Sequence, residues 1–183
     1  SQPLLILENE LLYLYRYYFN TDVENSKWIN LVERAEKHLQ SNDVNLGVIY
    51  NNLAISEEYN DGNEKAIIYF KKALSIFKKE EFKYIDLIIT ISNNISNVYL
   101  KNKDLVNALN TFKKVQEIRT KYSYFDGQQL SIEYRILAES YKITGDYDKA
   151  IELITDGILL HKSLEISKRN DFYLAAYYNQ LSN

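Results

Sequence analysis

The sequence contains no cysteine, one proline, five glycines and two histidines in 183 residues. Without cysteine there is no disulfide framework and no thiol chemistry, which fits a reducing cytoplasm. So little proline and glycine, beside a hydrophobic content of 46%, argues against a disordered or all-β chain and for a helical globular one. No apolar run approaches the ~18 residues of a membrane span, and no basic region precedes Leu4 to Leu7, so neither a transmembrane segment nor a signal peptide is expected. A net charge of −3 supplies no general attraction to DNA or acidic membranes. His38 and His161 fall in unrelated helices without metal-ligand spacing, and are read as solvated or capping groups. There is no Gly-rich phosphate loop and no nucleophile elbow. The adjacent carboxylates Glu57-Glu58 and Glu80-Glu81 diverge by about 100° on a helix and cannot face one another across a substrate. No enzymatic activity, metal or cofactor is expected.

What the chain does contain is a repeated pattern. In Tyr134 to Gly157, the residues Tyr134, Leu137, Ala138 and Tyr141 share one helical face, Gly145-Asp146 makes a turn, and Tyr147, Ala150, Ile151 and Ile154 repeat the spacing on a second helix. Ala138 and Ala150 are small enough to let two such helices approach to about 8 to 10 Å. A second copy has Tyr50, Leu53 and Ala54 before a loop at Asn60 to Asn63, and Ala66, Phe70 and Ala73 after it. A third has Ile95, Ser96 and Tyr99, then Ala108, Phe112 and Val115. The copies are in register: Ala54, Ser96 and Ala138 are 42 residues apart, as are Ala66, Ala108 and Ala150.

Taken in order, the spacing predicts helix pairs over about 3–40, 45–80, 84–121 and 128–164, and a closing helix over about 170–181 carrying Phe172, Leu174, Ala175 and Tyr178. That makes about nine helices in a single domain, 1–183, since no linker rich in Gly, Pro or Ser divides them. The first pair is degenerate. Pro3 opens its first helix, Tyr13, Tyr15, Tyr17 and Tyr18 crowd its second half so that it should be largely covered, and Asn20-Thr21-Asp22 form a turn before Trp28, Leu31, Val32, Ala35 and Leu39. The pairs Lys71-Lys72, Lys78-Lys79 and Lys113-Lys114 are read as a solvated outer face. The 17 tyrosines are read mostly as packing residues.

The order aromatic, three residues, Leu-Ala, two residues, Tyr, three residues, Gly, then an aromatic and Ala resembles the tetratricopeptide repeat, which implies an all-α, right-handed superhelix whose first helices line a concave surface. Its usual period is about 34 residues, so the extra length here belongs to longer helices or linkers. On that surface the first helix of the third pair carries Asn93, Asn94 and Asn97. Asn51 and Asn52, with Ile55 beyond, hold the matching place in the second pair, and Arg135, Glu139 and Lys142 in the fourth. A carboxamide both donates and accepts, so amides spaced i, i+4, as Asn93 and Asn97 are, can pair with the backbone of an extended peptide whatever its side chains.

The segment SNNISNVYLKNKDLVNALNTFKKV resembles the peptide-pheromone receptors of Gram-positive bacteria, the PlcR, NprR, Rap and Rgg group, over about 90–181. The resemblance implies that Asn93 and Asn97 hold a peptide backbone, although Arg135 and Ile136 stand where such receptors often present another Asn. The carboxylate-clamp co-chaperones fit less well, because their basic positions fall on Ile132 and Ile136 and only the central amide survives, at Asn94. Receptors of the PlcR and Rgg type begin with a helix-turn-helix domain, for which there is no room before Leu4. The expectation is therefore a cytoplasmic, peptide-sensing regulatory half of a transcriptional regulator, which a homodimer would suit and which makes no direct contact with nucleic acid or membrane. The alternative is a stand-alone scaffold for protein partners, including Rap-like blocking of a regulatory partner.

Overall fold

The computed structural model describes residues 2–19, 25–124 and 127–163. They form eight α-helices: α1 (Gln2–Phe19), α2 (Asn25–His38), α3 (Val44–Tyr59), α4 (Asn63–Phe77), α5 (Ile85–Lys101), α6 (Leu105–Tyr122), α7 (Gly127–Thr144) and α8 (Tyr147–Ser163). One turn of 3-10 helix, Lys78–Glu80, follows α4. There is no strand among the described residues, and the chain is all-α. The expected turn at Asn20-Thr21-Asp22 and the closing helix lie outside the described residues. Two compact units are formed, 1–91 and 92–183, with the division falling inside α5.

The turns that join helix to helix repeat in atomic detail. Asp61, Lys103 and Gly145, each 42 residues from the next, all take positive φ (59°, 59° and 81°). The residue after each closes the same ring: Gly62 N–H donates to Glu57 O at 2.8 Å, Asp104 to Tyr99 at 2.8 Å and Asp146 to Tyr141 at 3.0 Å. Bonds of shorter sequence span run inside them, from Asp61 to Glu58, Lys103 to Leu100 and Gly145 to Lys142. These are Schellman closures, which satisfy carbonyls the helix end leaves unpaired. Gly145 enters the left-handed region freely, while Asp61 and Lys103 do so against the Cβ clash that costs an L-residue roughly 1–2 kcal/mol. The closing residue also starts the next helix. Asp104 accepts from Asn107 N–H at 3.1 Å and Asp146 from Lys149 N–H at 3.5 Å. Gly62 cannot cap in this way, and a Cβ there would sit 2.5 Å from Glu57 Oε2.

The extra length of the repeat is divided between the helices, which run 15 to 18 residues from α3 to α8, and the connection of residues 78–84 between α4 and α5. The small residues on their facing sides, Ala54, Ser96 and Ala138 with Ala66, Ala108 and Ala150, are all buried.

In the first unit, Trp28, Leu31, Val32 and Ala35 turn one face of α2 into the core, and Trp28 is 1% exposed. α1 inserts Leu5 and Asn9; of the tyrosines expected to cover its second half, Tyr13 is exposed, and the side chains of Tyr15, Tyr17 and Tyr18 lie outside the described residues. Leu4 is 63% exposed, and Leu7, Leu11, Tyr13 and Leu14 are exposed beside it, because α2 and α3 meet only one side of the helix. A polar cluster ties α2, α3 and α4 together. Glu36 accepts from Tyr50 Oη at 2.7 Å and from Lys72 Nζ at 3.0 Å, while Lys72 lies 4.9 Å from the Tyr50 ring centre and 5.2 Å from that of Tyr69. The Tyr50 hydrogen bond, helped by Lys72, holds the Glu36 carboxyl below its usual range despite partial burial. Burial, then Glu36, pushes the Tyr50 hydroxyl far above its own.

In the second unit, Leu100, Ala108 and Ile136 form one core cluster with Tyr99 and Leu105, and Ala138, Ile154 and Ile158 form another with Tyr134 and Leu153. Between α6 and α7 the packing is ionic. The Arg119 guanidinium is bidentate on the fully buried Glu133, Nη2 to Oε1 at 2.6 Å and Nε to Oε2 at 3.1 Å, and Gln116 Nε2 donates to Oε2 at 3.0 Å. The 42-residue register shows what this replaces: Phe77 precedes Arg119 by one repeat and Ile91 precedes Glu133, and both are buried apolar residues.

Two outcomes are expected. A carboxyl with a lowered folded pKa stabilises the fold above its unfolded value, and that stabilisation disappears as pH falls through the folded value. Wild type should therefore be more stable than Glu36→Gln near neutral pH, with the gap closing below about pH 4.5, the ordinary value for the group; the effect is modest because the cluster is largely solvated. Urea melts across that range would show it. Arg119→Phe alone should cost about 3–5 kcal/mol by stranding the Glu133 charge, and adding Glu133→Ile should recover most of it, as measured by denaturant unfolding.

Candidate functional site

A carboxamide on a helix is useful to a ligand only where one of its atoms is open, and the asparagines differ sharply in this. Asn97, one turn beyond Asn93 on α5, is half-buried, and its Oδ1 accepts from Arg135 Nη2 on α7 at 3.3 Å. This bond orients both groups: the amide is left with its Nδ2 donor, and the guanidinium with donors that Asn97 does not use. Glu139 follows Arg135 by four residues on α7 and is half-buried, as is Asn94, three residues before Asn97. The second unit therefore brings together Asn97 and Arg135, with Asn94 and Glu139 a turn away from each.

Asn93 does not belong with them. It was expected on the exposed face, but it is 3% exposed. The i, i+4 spacing correctly puts Asn93 and Asn97 on one side of α5; what lies over each turn of that side differs, and spacing carries no information about it.

The first-unit asparagines require a second correction. Asn52 is 5% exposed and donates Nδ2 to Asn9 Oδ1 of α1 at 2.9 Å, while Asn51 Nδ2 lies 3.5 Å from Asn52 Oδ1. Asn52 joins two helices and offers no open atom to a ligand. Asn51 is half-buried, and its Oδ1 has no hydrogen-bond partner among the described residues.

Two buried polar features escaped the sequence reading. The Arg119–Glu133 pair was detectable in principle, since both residues fall at register positions that are apolar one repeat earlier. His161, expected to be solvated or capping, is 1% exposed. It falls at the same register position as Phe77 and Arg119, which places it in the core. Among the described residues, no group of three or more His, Asp or Glu converges as a metal ion would require, and no helix is long and apolar enough to cross a membrane.

Comparisons with known proteins bear on the fold. No protein-family model matches the chain, and no curated protein sequence does. Solved structures do match. BtubC (BKLC) from P. vanneervenii superposes with a TM-score of 0.75 at 20% identity over 87% of this chain, which spans 64% of that one. A putative kinesin light chain with nearly identical TPR-like repeats, from Podosopora anserina, gives a TM-score of 0.67 at 18% identity, covering 94% of this chain and 84% of that one. A second crystal structure of the same protein gives 0.68 at the same identity and coverage. With the periodic turns and helix pairs described above, these likenesses establish that the chain has a tetratricopeptide-like, all-α helical-repeat fold.

Proposed function

We propose that the chain is a peptide-binding regulatory domain that takes a short, extended peptide on the α5 and α7 face of its second unit. The observation that carries this reading is the Asn97–Arg135 contact. It joins two half-buried polar side chains on the first helices of consecutive pairs, and fixes the direction of an amide that still has a donor to offer. An extended peptide presents backbone carbonyls at regular intervals, and an amide held by a neighbour accepts such a partner with little further loss of rotamer freedom. The resemblance of residues 92–115 to the PlcR and Rgg group supports a signalling peptide as ligand and a transcriptional regulator as the parent protein.

A second reading has its own observation. Leu4, Leu7, Leu11 and Leu14 line an exposed face of α1, and contiguous apolar surface of this kind commonly marks a protein interface. In that reading the chain is a scaffold for a folded partner.

Native mass spectrometry of the chain, with peptides extracted from the source culture medium, separates the two. Peptide binding gives a discrete added mass, and Asn97→Ala should weaken it by about 1–3 kcal/mol, the cost of leaving a backbone group unpaired, while circular dichroism stays unchanged. A scaffold gives no peptide adduct, and its partner is lost with Leu7→Glu and Leu11→Glu instead. Unchanged peptide affinity in Asn97→Ala would remove Asn97 from the site.

A further inference from the structure

α1 is apolar on two opposite sides. One side turns Leu5 and Asn9 into the core, where Asn9 Oδ1 accepts from Asn52 Nδ2. On the other, Leu4, Leu7, Leu11 and Leu14 are between 43% and 63% exposed. Their spacing is three, four, three, an average step of about 3.5 residues, which is the narrow seam of a coiled coil rather than the broader stripe that packs on a globular core. Such a seam fits the same spacing on another helix, leucine against leucine. Its two flanks carry unlike charge. Glu8 on one flank is paired with Arg34 of α2, which brings a guanidinium to that side and uses only its Nη2 in doing so. Glu10, on the other flank, is exposed and forms no ion pair among the described residues.

From this arrangement we infer that α1 pairs in parallel with α1 of a second copy of the chain, leucine seam on leucine seam about a two-fold axis. In a parallel pair each flank of one helix lies beside the opposite flank of the other. Glu10 of each copy then faces the side on which the other copy carries Arg34, and the two-fold makes that contact twice. In an antiparallel pair like flanks meet, and Glu10 would face Glu10. The area agrees with a reversible dimer. Leucines exposed to this extent offer roughly 350–400 Å² per copy, so a pair buries about 700–800 Å² of leucine, most of the ~1,000 Å² that a specific interface needs, and the charged flanks supply the remainder. The pairing is independent of the peptide reading, and it gives the α1 face an occupant other than a folded partner.

Sedimentation velocity of the full chain should show monomer and dimer exchanging in the micromolar range, the affinity of a small interface. Leu7→Glu with Leu11→Glu should leave a monomer at every concentration, with circular dichroism unchanged because neither residue enters the core. Glu10→Gln should weaken the dimer by about twofold or more, since two solvated ion pairs are lost. The chain has no cysteine, so Leu7→Cys introduces a single thiol. Mild oxidation should link two copies of that variant far faster than two copies of Ile68→Cys, an exposed site on α4 away from the seam. These last variants decide the matter alone if the double glutamate change disturbs helicity. A wild type that stays monomeric throughout, or a dimer that survives Leu7→Glu with Leu11→Glu, overturns the pairing and leaves the face to a folded partner. Linking of Leu7→Cys to Leu11→Cys but not to itself, or a tighter dimer in Glu10→Gln, overturns the parallel arrangement.

Discussion

Everything distinctive in this fold depends on a chain reversal that uses one left-handed residue. Where two or three residues join one helix to the next, the pair can pack closely only if the chain reverses within them, and the Schellman closure at 57–62, 99–104 and 141–146 does this. Its last residue serves two helices, closing one and, as Asp104 and Asp146 show, capping the other. The buried alanines and Ser96 then set how near the two axes lie. Conformational strain at Asp61 and Lys103 is tolerated because the closure satisfies carbonyls that the helix end would otherwise leave unpaired.

Much of this was legible in the sequence. The Gly145-Asp146 turn, the alanine register and the helix pairs all follow from local spacing, and local spacing is what a periodic fold repeats. Asp61 lies beside Gly62 in the loop read at Asn60 to Asn63, whereas Lys103 carries no glycine signal and its turn shows by alignment to Gly145. The site was less legible. Helical spacing placed Asn93, Asn94 and Asn97 on α5 but not the burial of Asn93, and it could not show that Asn52 is consumed by Asn9, 43 residues away. Pairings across helices are set by tertiary packing, to which a period of three or four residues is blind. The exposed leucines of α1 show the same limit, since an apolar residue announces a wish for cover without naming what provides it.

The contrast between Arg119 and Arg135 separates two tasks for one side chain. At Arg119 the charge is sealed against a carboxylate in a place where the preceding repeat has a phenylalanine. Buried ion pairs of this kind add little net stability compared with well-packed apolar residues. What the pair can contribute is selectivity, because helices bearing Arg119 and Glu133 cannot exchange neighbours with their apolar counterparts without stranding a charge. Among helix pairs built on one register, that discourages mismatched stacking. Arg135 is left accessible, and its amide neighbour can be displaced or shared.

The single tryptophan has a practical consequence for optical work. Trp28 lies on α2, sealed inside the first unit. Its emission is a local gauge of solvent penetration around that helix. Events confined to α7 and α8 leave it dark to the observer, whereas tyrosine absorbance, with rings distributed along the chain, registers both halves.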